Sequence, residues 1–105
     1  MEVLETTKIP ALVKNEVKSL DAGAEVILFG SRARGDWRKD SDWDFLILLD
    51  GEISEPLKRD IRDRLYEVEL ETEEVISTII ENKKDWLRYE ITPLYKNIEK
   101  EGKEV

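Results

Sequence analysis

Two aspartates separated by one residue, Asp42 and Asp44, are the residues of this sequence best suited to chemistry. They stand at the start of an apolar segment that is typical of a β-strand, and a strand directs residues i and i+2 to the same face. Two carboxylates held close together raise each other's free energy unless a cation neutralises them. Carboxylate oxygens suit Mg²⁺ or Mn²⁺, so the pair indicates either a divalent metal site or only a polar start to a strand.

A second candidate lies upstream, where Gly30 and Ser31 directly follow another apolar segment. Glycine lets a ligand approach the backbone closely, and a helix beginning at Ser31 would offer free N–H groups to a phosphate. Arg32 and Arg34 add fixed positive charge beside them. Alone, this pattern is typical of a turn with arginines in solvent. Together with the two aspartates, it indicates a place where a metal ion and a triphosphate meet.

Composition limits which other residues could take part. The sequence has 105 residues and contains neither cysteine nor histidine, which excludes disulfides, thiolate zinc sites and a histidine general base. Chemistry must therefore rest on carboxylates, hydroxyls, lysines or a hard metal ion. The formal charge of −8 argues against general nucleic-acid binding through a broad basic face. It leaves room for a local basic loop, or for a partner that is itself basic.

The length predicts one domain that spans residues 1–105. Its apolar runs are only a few residues long, so no membrane span is expected. The segment Met1–Lys8 lacks the basic and then apolar pattern of a signal peptide, so the expected location is the cytoplasm.

Apolar residues at helical spacing predict the helices that must position these residues. Thr6 or Thr7 caps a first helix, Pro10 lies in its opening turn and Gly23 ends it. The later helical segments are Glu55–Glu71 with Ser54 as its cap, Lys83–Tyr89, and Pro93 to about Lys100 with Thr92 as its cap.

The closing residues carry their own prediction. Leu94, Tyr95 and Ile98 share one face of the last helix and are expected to point into the core. Gly102 ends this helix, and the few residues after it are expected to be loose.

Three short segments rich in β-branched and aromatic residues predict strands. A loop, Gly30–Lys39, joins the first two and can hold a short helix from Ser31. Strands and helices together predict an α/β (α+β) fold, with helices packed on one face of a small mixed sheet. The predicted strands are Ala24–Phe29, Trp43–Asp50 and Glu74–Ile80.

The motif that joins the two candidate groups resembles a known signature. The run "GSRARG" at positions 30–35, followed by "SDWDF" at 41–45, is similar to the nucleotidyltransferase signature of the DNA polymerase beta superfamily. It is most similar to the minimal nucleotidyltransferase (MNT) proteins of prokaryotes. The resemblance covers nearly the whole chain, including its size, its element order and the closing "TPLYKNIEKEG".

This resemblance implies a nucleotidyltransferase fold, a small mixed sheet flanked by helices. It implies transfer of a nucleoside monophosphate from a nucleoside triphosphate, ATP in the first place, to an acceptor hydroxyl, with release of pyrophosphate and with two Mg²⁺ ions. The implied site residues are Gly30 and Ser31 for the phosphates, Arg32 and Arg34 for phosphate or a partner, and Asp42 and Asp44 for metal and catalysis.

The resemblance also implies a partner. Many minimal members are antitoxins that accompany a helical HEPN ribonuclease toxin. They are thought to neutralise it by binding it, by nucleotidylating one of its tyrosines, or by both. Two alternatives to an enzyme therefore stay open: an antitoxin that acts by binding alone, and a nucleotide-binding protein that senses triphosphate.

One departure from the family pattern concerns a third carboxylate near the start of the third strand. Active members use it to bind metal and as the base for the attacking hydroxyl, and here the position falls on Ser77. Glu73 and Glu81 share the strand parity of Ser77, but each is about 13 Å away along a strand. Glu74 could serve only if the strand were shifted.

Three tryptophans complete the candidate residues. Trp37 lies in the polar loop, where it could stack on a base, meet a partner or pack across the loop. Trp43 alternates with the aspartates and is expected in the core, as is Trp86 beside the last helix.

Overall fold

The computed structural model of the protein describes residues 8–105, which contain a four-stranded sheet with the order β3-β2-β1-β4. Strand β1 lies antiparallel to both of its neighbours, whereas β2 and β3 run parallel. This mixed sheet with its helices confirms the predicted fold class. The strands are β1 (Glu25–Phe29), β2 (Trp43–Leu49), β3 (Ile76–Asn82) and β4 (Lys103–Glu104).

Two of the predicted helix caps are confirmed by hydrogen bonds. The Ser54 hydroxyl accepts from the Leu57 N–H at 3.1 Å, and the Thr92 hydroxyl accepts from the Tyr95 N–H at 3.2 Å. Within residues 8–105, no helix is long and apolar enough to cross a membrane. The helices are α1 (Ile9–Leu20), α2 (Ser31–Arg34), α3 (Glu55–Thr72), α4 (Lys83–Trp86) with a 3₁₀ turn after it (Leu87–Tyr89), and α5 (Pro93–Glu101).

Helix α1 ends earlier than predicted. Its last residue is Leu20, and the next residue, Asp21, is already extended, so Gly23 lies beyond the helix. The Asp21 carboxylate explains this end, since it accepts from the N–H groups of Gly23 and Asp50, each at 3.0 Å, and so ties the turn to the end of β2. The predicted caps at residues 6 and 7 lie outside the described residues.

The helices cover both faces of the sheet, so the prediction of helices on one face was wrong. One core, on the face of Phe45, Ile47 and Leu49, is closed by α1 and α3. The other, on the face of Leu46 and Leu48, is closed by residues of α4 and α5. The reason lies in β2, which is buried at five consecutive positions. A central strand that is apolar on both faces needs cover on both.

Strand β3 begins two residues later than predicted. Helix α3 ends at Thr72, and the next residue, Glu73, has a left-handed backbone with φ 59°. The N–H of Ile76 donates to the Glu69 carboxylate at 3.1 Å. The helix thus holds the first residue of the strand.

The C-terminal residues are ordered, contrary to the prediction that they would be loose. Gly102 ends α5 as predicted, and β4 then pairs with β1, followed by a hydrogen bond from the Val105 N–H to the Val26 carbonyl at 2.9 Å. Ile98 is buried as predicted, but Leu94 is 42% exposed and does not join the core.

Candidate active site

The two aspartates lie where β1, β2 and β3 meet. Asp42 immediately precedes β2 and is exposed, whereas Asp44 is the second residue of the strand and is partly buried. In register, Asp44 faces Phe29 of β1 on one side and Ser77 of β3 on the other. Neighbouring strands lie about 4.8 Å apart, so the structure brings Ser77 beside the aspartate pair.

The electrostatics of Asp44 fit a cation site. Partial burial raises the pKa of the Asp44 carboxyl, the charge of Asp42 raises it further, and Arg34 opposes the effect. The two carboxylates therefore destabilise each other when both are ionised, and a divalent cation would relieve this. Among residues 8–105 no group of three metal-ligating side chains is assembled. Proteins nonetheless often bind Mg²⁺ through only one or two carboxylates. Water molecules and substrate phosphates then supply the other ligands.

Gly30 is required by the position of Asp44. Its φ is +77°, a conformation that side chains disfavour, and a Cβ added there would overlap the Asp44 carboxylate. Helix α2 starts at the next residue, and its hydrogen bonds begin with the N–H groups of Ala33 and Arg34, both donated to the Gly30 carbonyl at 3.0 Å. The loop and the metal-site candidate are thus in direct contact.

A residue that sequence reasoning missed, Glu101, lies on this loop. Its Oε1 accepts from the Gly30 N–H at 3.2 Å, and its two oxygens lie 3.3 and 3.1 Å from Nη1 of Arg34. Arg34 also donates to Asp36 at 3.2 Å, and the hydrogen bonds that Arg34 donates, first to Glu101 and then to Asp36, raise the pKa of its guanidinium. The one sequence signal for Glu101 was its place in the closing segment that carried the resemblance.

The guanidinium of Arg32 stacks on two tryptophan rings. Its guanidinium lies over the Trp37 ring at 4.4 Å and over the Trp43 ring at 4.5 Å. It donates to the Ser41 carbonyl at 3.1 and 3.4 Å and pairs with Glu74 at 3.7 Å. Only 3% of its side chain is exposed. Arg32 therefore holds the residues that lead into Asp42, rather than facing the glycine with Arg34.

All three tryptophans pack against other residues of the protein, as the simplest expectation for each had it. Trp37 packs across the loop on Arg32 and leaves about half of its surface exposed. Trp43 is buried with the α1 and α3 core, and Trp86 is buried on the other face, with its ring 5.2 Å from that of Tyr95.

Among residues 8–105, neither Glu74 nor Glu81 takes the place of a third carboxylate beside Asp44. The Ser77 hydroxyl donates to the Asp42 carboxylate at a long 3.4 Å. Glu74 is paired with Arg32, and Glu81 lies opposite Leu48 at the far end of β3. Ser77 thus lies opposite Asp44 on β3, where the resemblance implies a third carboxylate.

Comparisons with known proteins agree with this geometry. A family model of the nucleotidyltransferase domain matches residues 11–105. A chain in a crystal structure of a toxin-antitoxin with AMP-PNP shares the fold, with a TM-score of 0.57 and 21% identity, covering 96% of this chain and 72% of that one. A chain in a crystal structure of a mutant toxin-antitoxin, MntA-HpeT, gives a TM-score of 0.58 and 20% identity, covering 97% and 72%. No curated protein sequence gives a significant match.

Proposed function

This chain belongs to the nucleotidyltransferase domain family, and we propose that it transfers a nucleoside monophosphate from ATP, or another nucleoside triphosphate, to a hydroxyl group of a partner protein. The observation that carries the proposal is the contact between Gly30 and the Asp44 carboxylate. It joins a phosphate-binding loop to a pair of metal-binding carboxylates, and reaction at phosphorus depends on bringing these two together.

The roles follow from the positions of the side chains. Asp42 and Asp44 would hold Mg²⁺ or Mn²⁺, which when bound neutralises charge on the phosphate oxygens. The backbone N–H groups at Gly30 and Ser31 would receive the terminal phosphates, with the guanidinium of Arg34 beside them. Arg32, which the resemblance also placed at the phosphates or a partner, would act by supporting the loop before Asp42.

Ser77 favours a second candidate, an antitoxin that works by binding. A serine hydroxyl is too weak a base to deprotonate an acceptor hydroxyl at neutral pH without help, so transfer would be slow. A protein with a formal charge of −8 is suited to cover a basic face of a nuclease. In this case the loop and the aspartates would still bind nucleotide.

The partner is proposed from the resemblance and from the fold. A chain of the same fold occurs in a toxin-antitoxin crystal structure with AMP-PNP, which supports both a nucleotide ligand and a toxin partner. We propose a helical HEPN-type toxin as that partner and the cytoplasm as the location.

One experiment separates the two candidates. The protein is incubated with Mg²⁺, α-labelled ATP and the product of the neighbouring gene, and label on the partner is measured beside neutralisation of the partner's toxicity. If the protein is an enzyme, Asp42→Asn with Asp44→Asn abolishes both labelling and neutralisation while leaving the complex intact. Neutralisation that survives this double substitution establishes the binding antitoxin instead. Calorimetry with ATP and Mg²⁺ would refute the two functions that depend on nucleotide, the transferase and the triphosphate sensor, if it gave no heat of binding.

A further inference from the structure

Glu101 holds the donors that a phosphate would need. Its carboxylate accepts from the Gly30 N–H at 3.2 Å and lies 3.1 Å from the guanidinium of Arg34. A backbone N–H and an arginine beside it are groups that proteins commonly offer to a phosphate oxygen. An anion supplied by the chain itself is therefore seated on the proposed phosphate loop.

The position of Glu101 is fixed by the fold. It is the last residue of α5, and its side chain is only 18% exposed although it is charged. On one side, α5 packs over the sheet through Ile98. On the other side the chain continues into β4, which pairs with β1, the strand that leads into Gly30. Because the contact is held from both sides, little chain entropy is lost when it forms.

We propose that Glu101 is an internal competitor for nucleotide phosphate, and that nucleotide binds only by displacing its carboxylate from Gly30 and Arg34. The inference rests on the proposed function, because it takes these groups as the phosphate donors. A carboxylate and a phosphate oxygen cannot accept from the same N–H group at the same time. The apparent affinity for nucleotide is then the intrinsic affinity multiplied by the fraction of molecules in which the carboxylate is displaced, and it falls as that fraction falls.

The same carboxylate acts in the opposite sense on a cation. Glu101 adds negative charge close to Asp44, and added negative charge favours a divalent ion at the aspartate pair. Glu101 thus favours the metal ion and opposes the triphosphate. This opposition distinguishes a competitor from a residue that merely supports the fold, which would affect both ligands in the same direction.

Substitution of Glu101 by glutamine tests the proposal. The amide keeps the size of the side chain and removes its charge, so it no longer attracts Arg34. Calorimetry would compare binding of a non-hydrolysable ATP analogue with Mg²⁺, and of Mn²⁺ alone, in wild type, Glu101→Gln and Glu99→Gln. Glu99 is the matched control, because it lies on the same helix, is exposed and carries the same charge.

We expect Glu101→Gln to bind the analogue about 2- to 5-fold more tightly, the range for loss of a partly exposed ionic contact. The affinity of Mn²⁺ alone for Glu101→Gln should be no higher than its affinity for wild type. Glu99→Gln should bind both ligands as wild type does. Equal or weaker binding of the analogue by a folded Glu101→Gln, checked by circular dichroism, overturns the competitor and leaves the proposed function intact. If wild type and both variants all fail to bind the analogue, the proposed function falls and the competitor falls with it.

Discussion

Arg32→Ala should unfold the protein more readily while leaving the phosphate donors in place. In the wild type, the Arg32 guanidinium fills the space between the rings of Trp37 and Trp43 and donates to the Ser41 carbonyl. Its removal leaves that carbonyl without this donor and leaves Glu74, 17% exposed in its side chain, without its cation. All of these interactions hold the loop between α2 and β2.

The size of the effect follows from the interactions that the Arg32 guanidinium makes. Each stacking interaction with a tryptophan ring contributes about 1 kcal/mol, and the hydrogen bonds from a charged donor to Ser41 contribute about 1.5–3 kcal/mol. Since such contributions are not additive, we expect the free energy of unfolding to fall by about 3 kcal/mol. For a chain of this size that corresponds to a melting temperature lower by roughly 15 °C. Arg32→Lys should have about half this effect, because it keeps the charge without the planar fork.

Urea unfolding followed by far-ultraviolet circular dichroism measures this effect, with calorimetric binding of the ATP analogue as a second readout. Arg34→Ala is the matched control: the Arg34 side chain is 46% exposed, so the stability of this variant should stay close to that of wild type, while its affinity for the analogue falls. The reasoning is refuted if Arg32→Ala keeps wild-type stability and loses nucleotide affinity instead, since Arg32 would then be a phosphate ligand.

A glycine, an aspartate and a serine of the site each give a further test by a single substitution. Gly30→Ala places a Cβ against the Asp44 carboxylate at a positive φ, so it should lower the free energy of unfolding in urea by about 2 kcal/mol. In the control Gly51→Ala the Cβ meets open space, and stability should change by less than about 0.5 kcal/mol. Equal effects of the two substitutions would contradict the contact between Gly30 and Asp44. Asp44→Asn removes a carboxyl whose pKa is raised by burial and by Asp42. Without metal it should therefore melt ~2 °C above wild type at pH 7. This difference should disappear as the pH falls through the raised pKa towards the usual 3.8, because the wild-type carboxyl then becomes neutral too, and a difference independent of pH would refute this cause. Ser77→Asp places a carboxylate at this position and should raise the rate of label transfer about 100-fold or more. An unchanged rate would show that no base is needed there.

Local signals in the sequence were enough for the elements that carry the site. The caps at Ser54 and Thr92 depend on a hydroxyl and on the turn that follows it, so they are visible in a few residues. The place of Ser77 near the aspartates was expected from the family resemblance, whereas its pairing with Asp44 became visible only in the register of β2 and β3. The apolar run of β2 contained the signal for helices on both faces, and only its interpretation was wrong.

The parts that could not be predicted depend on contacts between distant residues. Glu101 looks like any other glutamate of an exposed helix until the fold brings it to Gly30, 71 positions earlier in the chain. The two residues of β4 carry no strand signal of their own and are extended because the edge of β1 offers them hydrogen bonds. Arg32 and Arg34 differ by two positions on one short helix, and only the placement of Trp37 and Trp43 separates their roles.

The stacking of Trp37 and Trp43 on one guanidinium gives the protein an optical probe of its own loop. Two of the three indoles of the sequence lie against Arg32, close to the residues that lead into Asp42, while Trp86 is buried on the opposite face of the sheet. A shift of that loop changes the surroundings of the first two indoles and leaves the third as an internal reference. Intrinsic fluorescence can therefore follow movement at the aspartates in the unlabelled protein.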